Sequence, residues 1–188
     1  MEFPDKLLMQ RVQAGEMAAF EQLVGRYQLP LLRVARGKLG HGALAEDVVQ
    51  ECFLAVYSGR GSFNPRFAFR TWLWTILLNL CKRHYARARR CHLESLHGDD
   101  GSCRAEPLTE STGLAAVVQS EEAARLDDAL QRLPDVQADA IRLRFQAELT
   151  FDEIAATMQC SVSGAKQRVR HGLAALARHL QPVEDRPS

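Results

Sequence analysis

What this chain lacks narrows its class before anything it contains is considered. Its 188 residues hold no apolar run of the ~18 residues that a membrane-crossing helix needs, so no membrane insertion is expected. The opening residues, MEFPDKLLMQ, lack the basic start and apolar core of a secretory signal, which points to the cytoplasm. No stretch alternates apolar and polar residues over strand length, and no segment repeats. The five cysteines are an odd, scattered set without a C-x-x-C pair. Cys52, Cys81 and Cys160 fall in helical patterns as small apolar residues, reduced thiols rather than a disulfide framework. Cys91, His92, His97 and Cys103 carry metal-ligating atoms, but their spacing fits no compact zinc pairing. Neither a metal nor a cofactor is expected.

One further absence is local. From Cys52 to Leu93 there is no Asp or Glu, while Arg60, Arg66, Arg70, Lys82, Arg83, Arg87, Arg89 and Arg90 all carry positive charge. From Glu94 to Glu153, fourteen acids face five bases, and from Ile154 to Val183 four bases stand with no acid. The formal net charge of +1 therefore conceals two basic blocks separated by an acidic one. A solvated surface mixes its signs, so two acid-free basic blocks indicate two contacts with a polyanion.

What is present reads as helix throughout. Leu7, Leu8 and Val12 precede a stop at Gly15. Phe20, Leu23, Val24, Tyr27, Leu31 and Val34 continue at three- and four-residue spacing, with Pro30 expected to bend that helix or mark an irregularity. A third helix spans about residues 43–57, and SGRGSFNPRF, from Ser58 to Phe67, is a loop. The fourth helix, RTWLWTILLNLCKRHYARARR, begins apolar and ends cationic. The polar, acidic run from His97 to Gly113 reads as a flexible linker. Beyond it lie a helix with Leu126, Leu130 and Leu133 in register, and another opened by Pro134. The fold class is all-α: two small helical domains on a flexible linker, with boundaries at 1–92, 93–119, 120–182 and a tail at 183–188.

Three patterns carry chemistry. In LTFDEIAATMQCSVSGAKQRVRHGLAAL, Thr150 and Glu153 form a capping box that opens a short helix burying Ile154, Ala155 and Met158. A tight turn follows, and Ser161 or Ser163 caps a longer helix carrying Val162, Val169, Leu173 and Leu176. Short helix, turn and long helix make a helix-turn-helix, whose second helix reads base edges in the major groove. Ser163, Lys166, Gln167 and Arg170, flanked by Arg168, are its exposed candidates: Gln suits adenine, Arg or Lys suits guanine, and Ser holds phosphate.

In LAEDVVQECFLAVY, Leu44, Val48, Cys52 and Val56 form one stripe, and Asp47, Gln50, Glu51 and Leu54 form the opposite face. That face reads equally as solvated surface or as a docking site for a basic partner helix. Along the fourth helix, Leu73, Ile76, Leu77 and Leu80 share a buried side, and Trp74 joins the core in register with Leu78 and Tyr85. Trp72, Thr75, Asn79, Lys82, Arg83 and Arg90 track along another side, the mixture of rings and cations that suits single-stranded or opened nucleic acid.

Taken together, these motifs resemble a sigma factor of bacterial RNA polymerase, of the extracytoplasmic-function type. AEDVVQECFLAVY resembles that family's polymerase-binding helix, FRTWLWTILLNLCKRHYARARR its promoter-melting helix, and the stretch from Leu126 to Leu176 its C-terminal promoter-binding domain. The resemblance implies that Asp47, Gln50, Glu51 and Leu54 meet the clamp helices of core RNA polymerase. It implies that Arg60, Ser62, Phe63, Asn64, Arg66, Arg70, Trp72, Thr75, Asn79, Lys82, Arg83, Arg87 and Arg90 hold the unpaired minus-ten strand of promoter DNA. Ser161, Ser163, Lys166, Gln167, Arg168 and Arg170 would read the minus-thirty-five element, the linker would thread the polymerase channels, and an anti-sigma factor would be a partner. The family pattern has Thr-Val where this chain has Gly164-Ala165, and Gly where it has Gln159. Activity would be binding without catalysis. A DNA-cleaving recombinase needs a catalytic fold that this first half does not offer. A stand-alone regulator of duplex DNA leaves the Asp47 face without a purpose, and a sigma-like polymerase adaptor would be one that has lost promoter recognition.

Overall fold

The computed structural model describes residues 3–40, 42–95 and 124–180, with side chains described as far as Arg87 in the 42–95 stretch. The described residues are helical, with no strand among them, and they fall in two compact units, one in each half of the chain. The side chains of the metal-spacing candidates Cys91 and His92, the candidates His97 and Cys103, the expected linker beyond Ser95 and the tail from Gln181 lie outside what is described. No cluster of metal-ligating side chains occurs among the described residues.

The first unit comprises α1 (Asp5–Gln13), α2 (Met17–Leu39), α3 (Gly42–Ser58), a 3-10 turn (Arg60–Ser62) and α4 (Phe69–Ser95). Asp5 sits in the first turn of α1, where a carboxylate suits the positive end of the helix dipole. α2 runs through Pro30 and closes on Gly40, whose φ of 72° lets its N–H return to the Arg36 carbonyl. Continuity past the proline follows from burial on both sides of it: Leu23, Tyr27, Leu31, Val34 and Ala35 all face inward. The expected stripe of α3 holds, with Val48, Cys52 and Val56 fully buried and Leu44 half-buried. Burial pushes the Cys52 thiol up to about 12, so it packs as an apolar group and carries little thiolate at neutral pH.

α4 supplies the other side of this core. Leu73, Trp74 and Leu77 are completely buried and Leu80 nearly so, as their spacing predicts, while Ile76 is only half-buried. Tyr85 does not follow Trp74 and Leu78 into the core; it is 54% exposed. Periodicity alone does not register which part of a helix its neighbours cover.

The second unit contains α5 (described at residues 124–131), α6 (Asp135–Phe145), α7 (Phe151–Thr157) and α8 (Val162–Leu180). Pro134 stands just before α6 with extended backbone, so Asp135 is the first helical residue. Leu130, Leu133, Ala138, Ile141 and Leu176 form one apolar cluster. Leu126 and Leu173, expected to share it, are 38% and 40% exposed. Asp139 and Arg142 are both buried, with Arg142 Nη1 4.0 Å from Asp139 Oδ1, and burial raises the Asp127 carboxyl against the opposing pull of Arg142.

Gly172 sets the closeness of α8 to α6. A Cβ at that position would lie 2.7 Å from Ile141 Cδ1 and 3.3 Å from both Ile141 Cγ1 and Gln137 Cβ. Gly172→Val therefore overfills a packed contact and is expected to cost about 1–3 kcal/mol, read as faster amide exchange in α6 and α8 with α2 and α3 unchanged. Unchanged exchange in α6 would show that the two helices can separate freely.

Candidate docking and nucleic-acid faces

α3 presents Asp47, Gln50 and Leu54 outward on one face, with Leu54 66% exposed. Beside them α2 and α3 part to leave an apolar groove of 620 Å³. Met17, Phe20 and Leu32 line it from α2, and Phe53, Leu54 and Tyr57 from α3, with Gln50 at its rim. The α2 half of this face was not anticipated. Its only signal was that Met17 and Leu32 fall off the buried stripe of an otherwise regular helix.

Glu51 sits beside the other three but faces α4. Its Oε1 accepts from the Arg83 guanidinium, and its Oε2 accepts from His84 Nε2 at 2.8 Å. These donors hold the Glu51 carboxyl below its ordinary value of 4.5, chiefly through the His84 hydrogen bond, with partial desolvation opposing. An expected docking residue and an expected DNA contact are thus bound to each other. Distances of this kind arise only when α3 and α4 pack, since the partners are 32 and 33 residues apart.

The basic side of α4 shows Asn79, Lys82 and Arg87 fully outward, and the Arg90 side chain lies outside what is described. Thr75 Oγ1 donates to the Thr71 carbonyl at 2.7 Å, turning its hydroxyl proton onto the helix. Trp72 is half-buried, its ring 5.2 Å from that of Phe63 and 6.2 Å from that of Phe69. Phe63 itself corrects the expectation of a strand-contacting ring: it is only 5% exposed, wedged beneath the loop against Phe69 and Trp72. A loop of this length needs an apolar anchor, and Phe63 is the residue that reaches the core. Phe67, 68% exposed, is instead the ring on the loop's surface.

Around it, Asn64 Oδ1 accepts from the Arg66 N–H at 2.9 Å, and Ser62 Oγ donates to the Gly59 carbonyl at 2.8 Å. Arg60 donates to the Tyr57 carbonyl at 2.7 Å and lies 4.3 Å above the Tyr57 ring. Arg70 is half-buried at the head of α4.

In the second unit the capping box forms as expected: Glu153 N–H donates to Thr150 Oγ1 at 3.3 Å, and Thr150 N–H donates to Glu153 Oε2 at 2.9 Å. Gln159 takes a φ of 51° in the turn, the left-handed conformation that explains why glycine suits this position. Ser161, rather than Ser163, caps α8, its Oγ accepting from the Gly164 N–H at 3.0 Å. Ser163, Lys166, Gln167 and Arg170 are all exposed at i, i+3, i+4 and i+7, with Arg168 half-buried and Ala165 and Val169 beneath. Gly164 abuts the cap: a Cβ there would lie 3.2 Å from Ser161 Oγ. A side chain there would crowd the hydroxyl that caps α8.

Two family patterns match these units. That of Sigma-70 region 2 covers residues 23–91, and that of Sigma-70 region 4 covers residues 123–176. The chain belongs to the sigma-70 family. It is 32% identical over 188 residues to the RNA polymerase sigma-H factor of Pseudomonas aeruginosa, covering 95% of each chain. It is 32% identical over 187 residues to the ECF RNA polymerase sigma-E factor of Escherichia coli, again covering 95% of each. Among solved structures it resembles CnrH in complex with the cytosolic domain of CnrY, with a TM-score of 0.73, 26% identity, and coverage of 94% and 96%. The fold is also that of the sigma factor RpoE of Bartonella quintana, with a TM-score of 0.66 at 23% identity, covering 88% and 98%. This sigma factor, of the extracytoplasmic-function type, binds core RNA polymerase and promoter DNA and directs transcription initiation. No helix among the described residues is long and apolar enough to cross a membrane.

The Glu51 contacts carry a pH signature. Because the folded value lies below the unfolded one, the stabilisation is present above pH 4.5 and is lost as pH falls through the depressed value. Glu51→Gln is expected to lower the thermal midpoint at about pH 6, with the gap closing as the pH falls through the depressed Glu51 value and narrowing in ~1 M salt. A gap that persists in acid would place the effect outside this ion pair.

Proposed function

We propose that the three faces divide the work of promoter recognition as follows. Asp47, Gln50 and Leu54, with the apolar groove between α2 and α3, receive the clamp helices of core polymerase, and Glu51 braces that face against α4. The loop from Arg60 to Phe67, with Trp72, Asn79, Lys82 and Arg87, holds the unpaired minus-ten strand. Phe63 and Phe69 act from beneath by fixing Trp72. Ser163, Lys166, Gln167 and Arg170 face the minus-thirty-five element, with Ser161 and Arg168 at the phosphates.

One observation carries this reading. A single compact unit offers an acidic, amide-bearing groove on α2 and α3, and a cationic face with half-buried and exposed rings on α4 and its loop. The first suits a protein helix that brings basic residues, and the second suits a polyanion with unstacked bases. The work is binding, not catalysis: two weak DNA contacts gain affinity once polymerase fixes their separation, and the strand is stabilised after its bases leave the stack. The site of action is the cytoplasm, where polymerase and promoters are. An anti-sigma factor is a partner on family grounds; CnrH is in complex with the cytosolic domain of CnrY, and RpoE with the anti-sigma factor NepR. The boundaries 1–92, 93–119 and 120–182 assign the docking and minus-ten unit, the linker and the minus-thirty-five unit.

Transcription from a promoter library, using bacterial core polymerase with and without the protein, tests this division. New start sites that appear only with the protein, sharing two sequence elements, are the expected outcome; binding to core without new transcripts would leave only the adaptor reading. Arg170→Ala and Gln167→Ala are each expected to cost about 1–3 kcal/mol of discrimination within the upstream element alone. Lys82→Ala should weaken binding across all sequences and reduce the salt slope by about one. Loss of upstream preference in the Lys82 variant would overturn the assignment of faces.

A further inference from the structure

α1 ends before the region 2 family match begins at residue 23, so nothing in the family pattern assigns its residues a task. Its last residue, Gln13, reaches across to the loop between α3 and α4. The half-buried Nε2 donates to two backbone carbonyls, that of Arg60 at 2.8 Å and that of Phe63 at 2.9 Å. These carbonyls lie at the two ends of the segment that makes the 3-10 turn and its exit. A primary amide carries two N–H hydrogens on one nitrogen, and each is used here on a different acceptor.

The position of the latch matters more than its strength. Phe63 is held twice, by its ring against Phe69 and Trp72 and by its carbonyl on Gln13. Directly after it, Asn64 to Phe67 folds into a compact turn, with Arg66 N–H on Asn64 Oδ1 at 2.9 Å and Phe67 N–H on the Asn64 carbonyl at 3.0 Å. Exposed Asn64, Arg66 and Phe67 thus project from a turn whose base is pinned at Phe63. The other end is equally confined: a Cβ on Gly59 would lie 2.9 Å from the Ala55 carbonyl and 3.5 Å from the Trp72 ring. The Arg60 carbonyl also accepts from the Phe63 N–H at 3.2 Å, so the amide is not needed to satisfy it. The amide orients both carbonyls.

The geometry points to Gln13 as a positioning residue for base recognition: by clamping the Arg60 and Phe63 carbonyls, it fixes the turn that presents Asn64, Arg66 and Phe67 to the unpaired promoter strand. This rests on the assignment of that loop to the minus-ten strand. Replacing the amide with a group of similar size that cannot donate releases the turn without emptying the space, and Gln13→Met does this. Gln13→Glu adds a repulsive carboxylate against two carbonyls and should act in the same direction, more strongly.

The test uses holoenzyme assembled from full-length chain and core polymerase, with a pool of single-stranded oligonucleotides randomised over about six positions. The bound fraction is sequenced, and affinity for core is measured separately. Wild type is expected to enrich a preferred base, and Gln13→Met to lower that enrichment roughly five- to tenfold while core affinity and total strand binding stay within about twofold. Wild-type enrichment retained by both variants overturns the proposal alone. A wild-type holoenzyme that enriches no sequence overturns the loop assignment and the proposal with it. Should a variant fail to assemble, amide exchange on the free chain decides: exchange raised at residues 60–67 with α2 and α3 protected supports the latch. Exchange raised throughout the first unit shows a merely structural contact and overturns it.

Discussion

Everything the first unit does depends on α4 burying one side while keeping the other charged. Leu73, Trp74, Leu77, Leu78 and Cys81 are at most 3% exposed. Burial of a tryptophan and several leucines on one helix is worth roughly 1.5–3 kcal/mol for each large side chain, before chain entropy is set against it. That core makes it possible for Asn79, Lys82 and Arg87 to stand exposed on the same rigid rod. A cationic segment without such an anchor would order only on meeting its polyanion and would lose affinity to that ordering. Here the helix is ordered beforehand by packing.

The same economy governs the loop between α3 and α4. Loops over a charged surface tend to be mobile, yet this one is tied down from three directions. Phe63 and Trp72 stack beneath it, Arg60 lies on the Tyr57 ring, and Gln13 grips two of its carbonyls. Between these ties only short polar or cationic side chains and Phe67 are left outward. The two rings divide accordingly: Phe63 is buried as an anchor and Phe67 stands exposed on the surface. Across the helix pair, Glu51 plays a comparable part: it pairs with Arg83 and accepts a hydrogen bond from His84 where α3 and α4 meet, so one carboxylate ties the two helices together.

In the second unit the limiting constraint is steric. Gly172 brings α8 within direct contact of Ile141, and the capped turn, with Gln159 left-handed and Ser161 on the Gly164 N–H, starts α8 at a fixed angle to α7. With Ala165 and Val169 turned inward, the helix has no choice about which residues face out. Ser163, Lys166, Gln167 and Arg170 form a row because the buried row is in register with it.

The sequence by itself determined the helices, their order, the stop at Gly15, the capping box at Thr150 and the outward row of α8. These are local matters: periodicity, caps and left-handed turns depend on residues within a few positions of each other. It also separated Trp74 from Trp72, because only Trp74 shares the register of the core leucines. What it did not determine were the relations between residues far apart in the chain. The burial of Phe63, the exposure of Tyr85 and Leu126, the α2 half of the apolar groove, the engagement of Glu51 by Arg83 and His84, and the grip of Gln13 on the loop all belong to this kind. Each depends on where one helix ends relative to another, and a hydrogen bond across 47 or 50 residues leaves no periodic trace. The choice between Ser161 and Ser163 as the cap was of the same nature, since both have the right chemistry and only the path of the turn brings one hydroxyl to the Gly164 N–H.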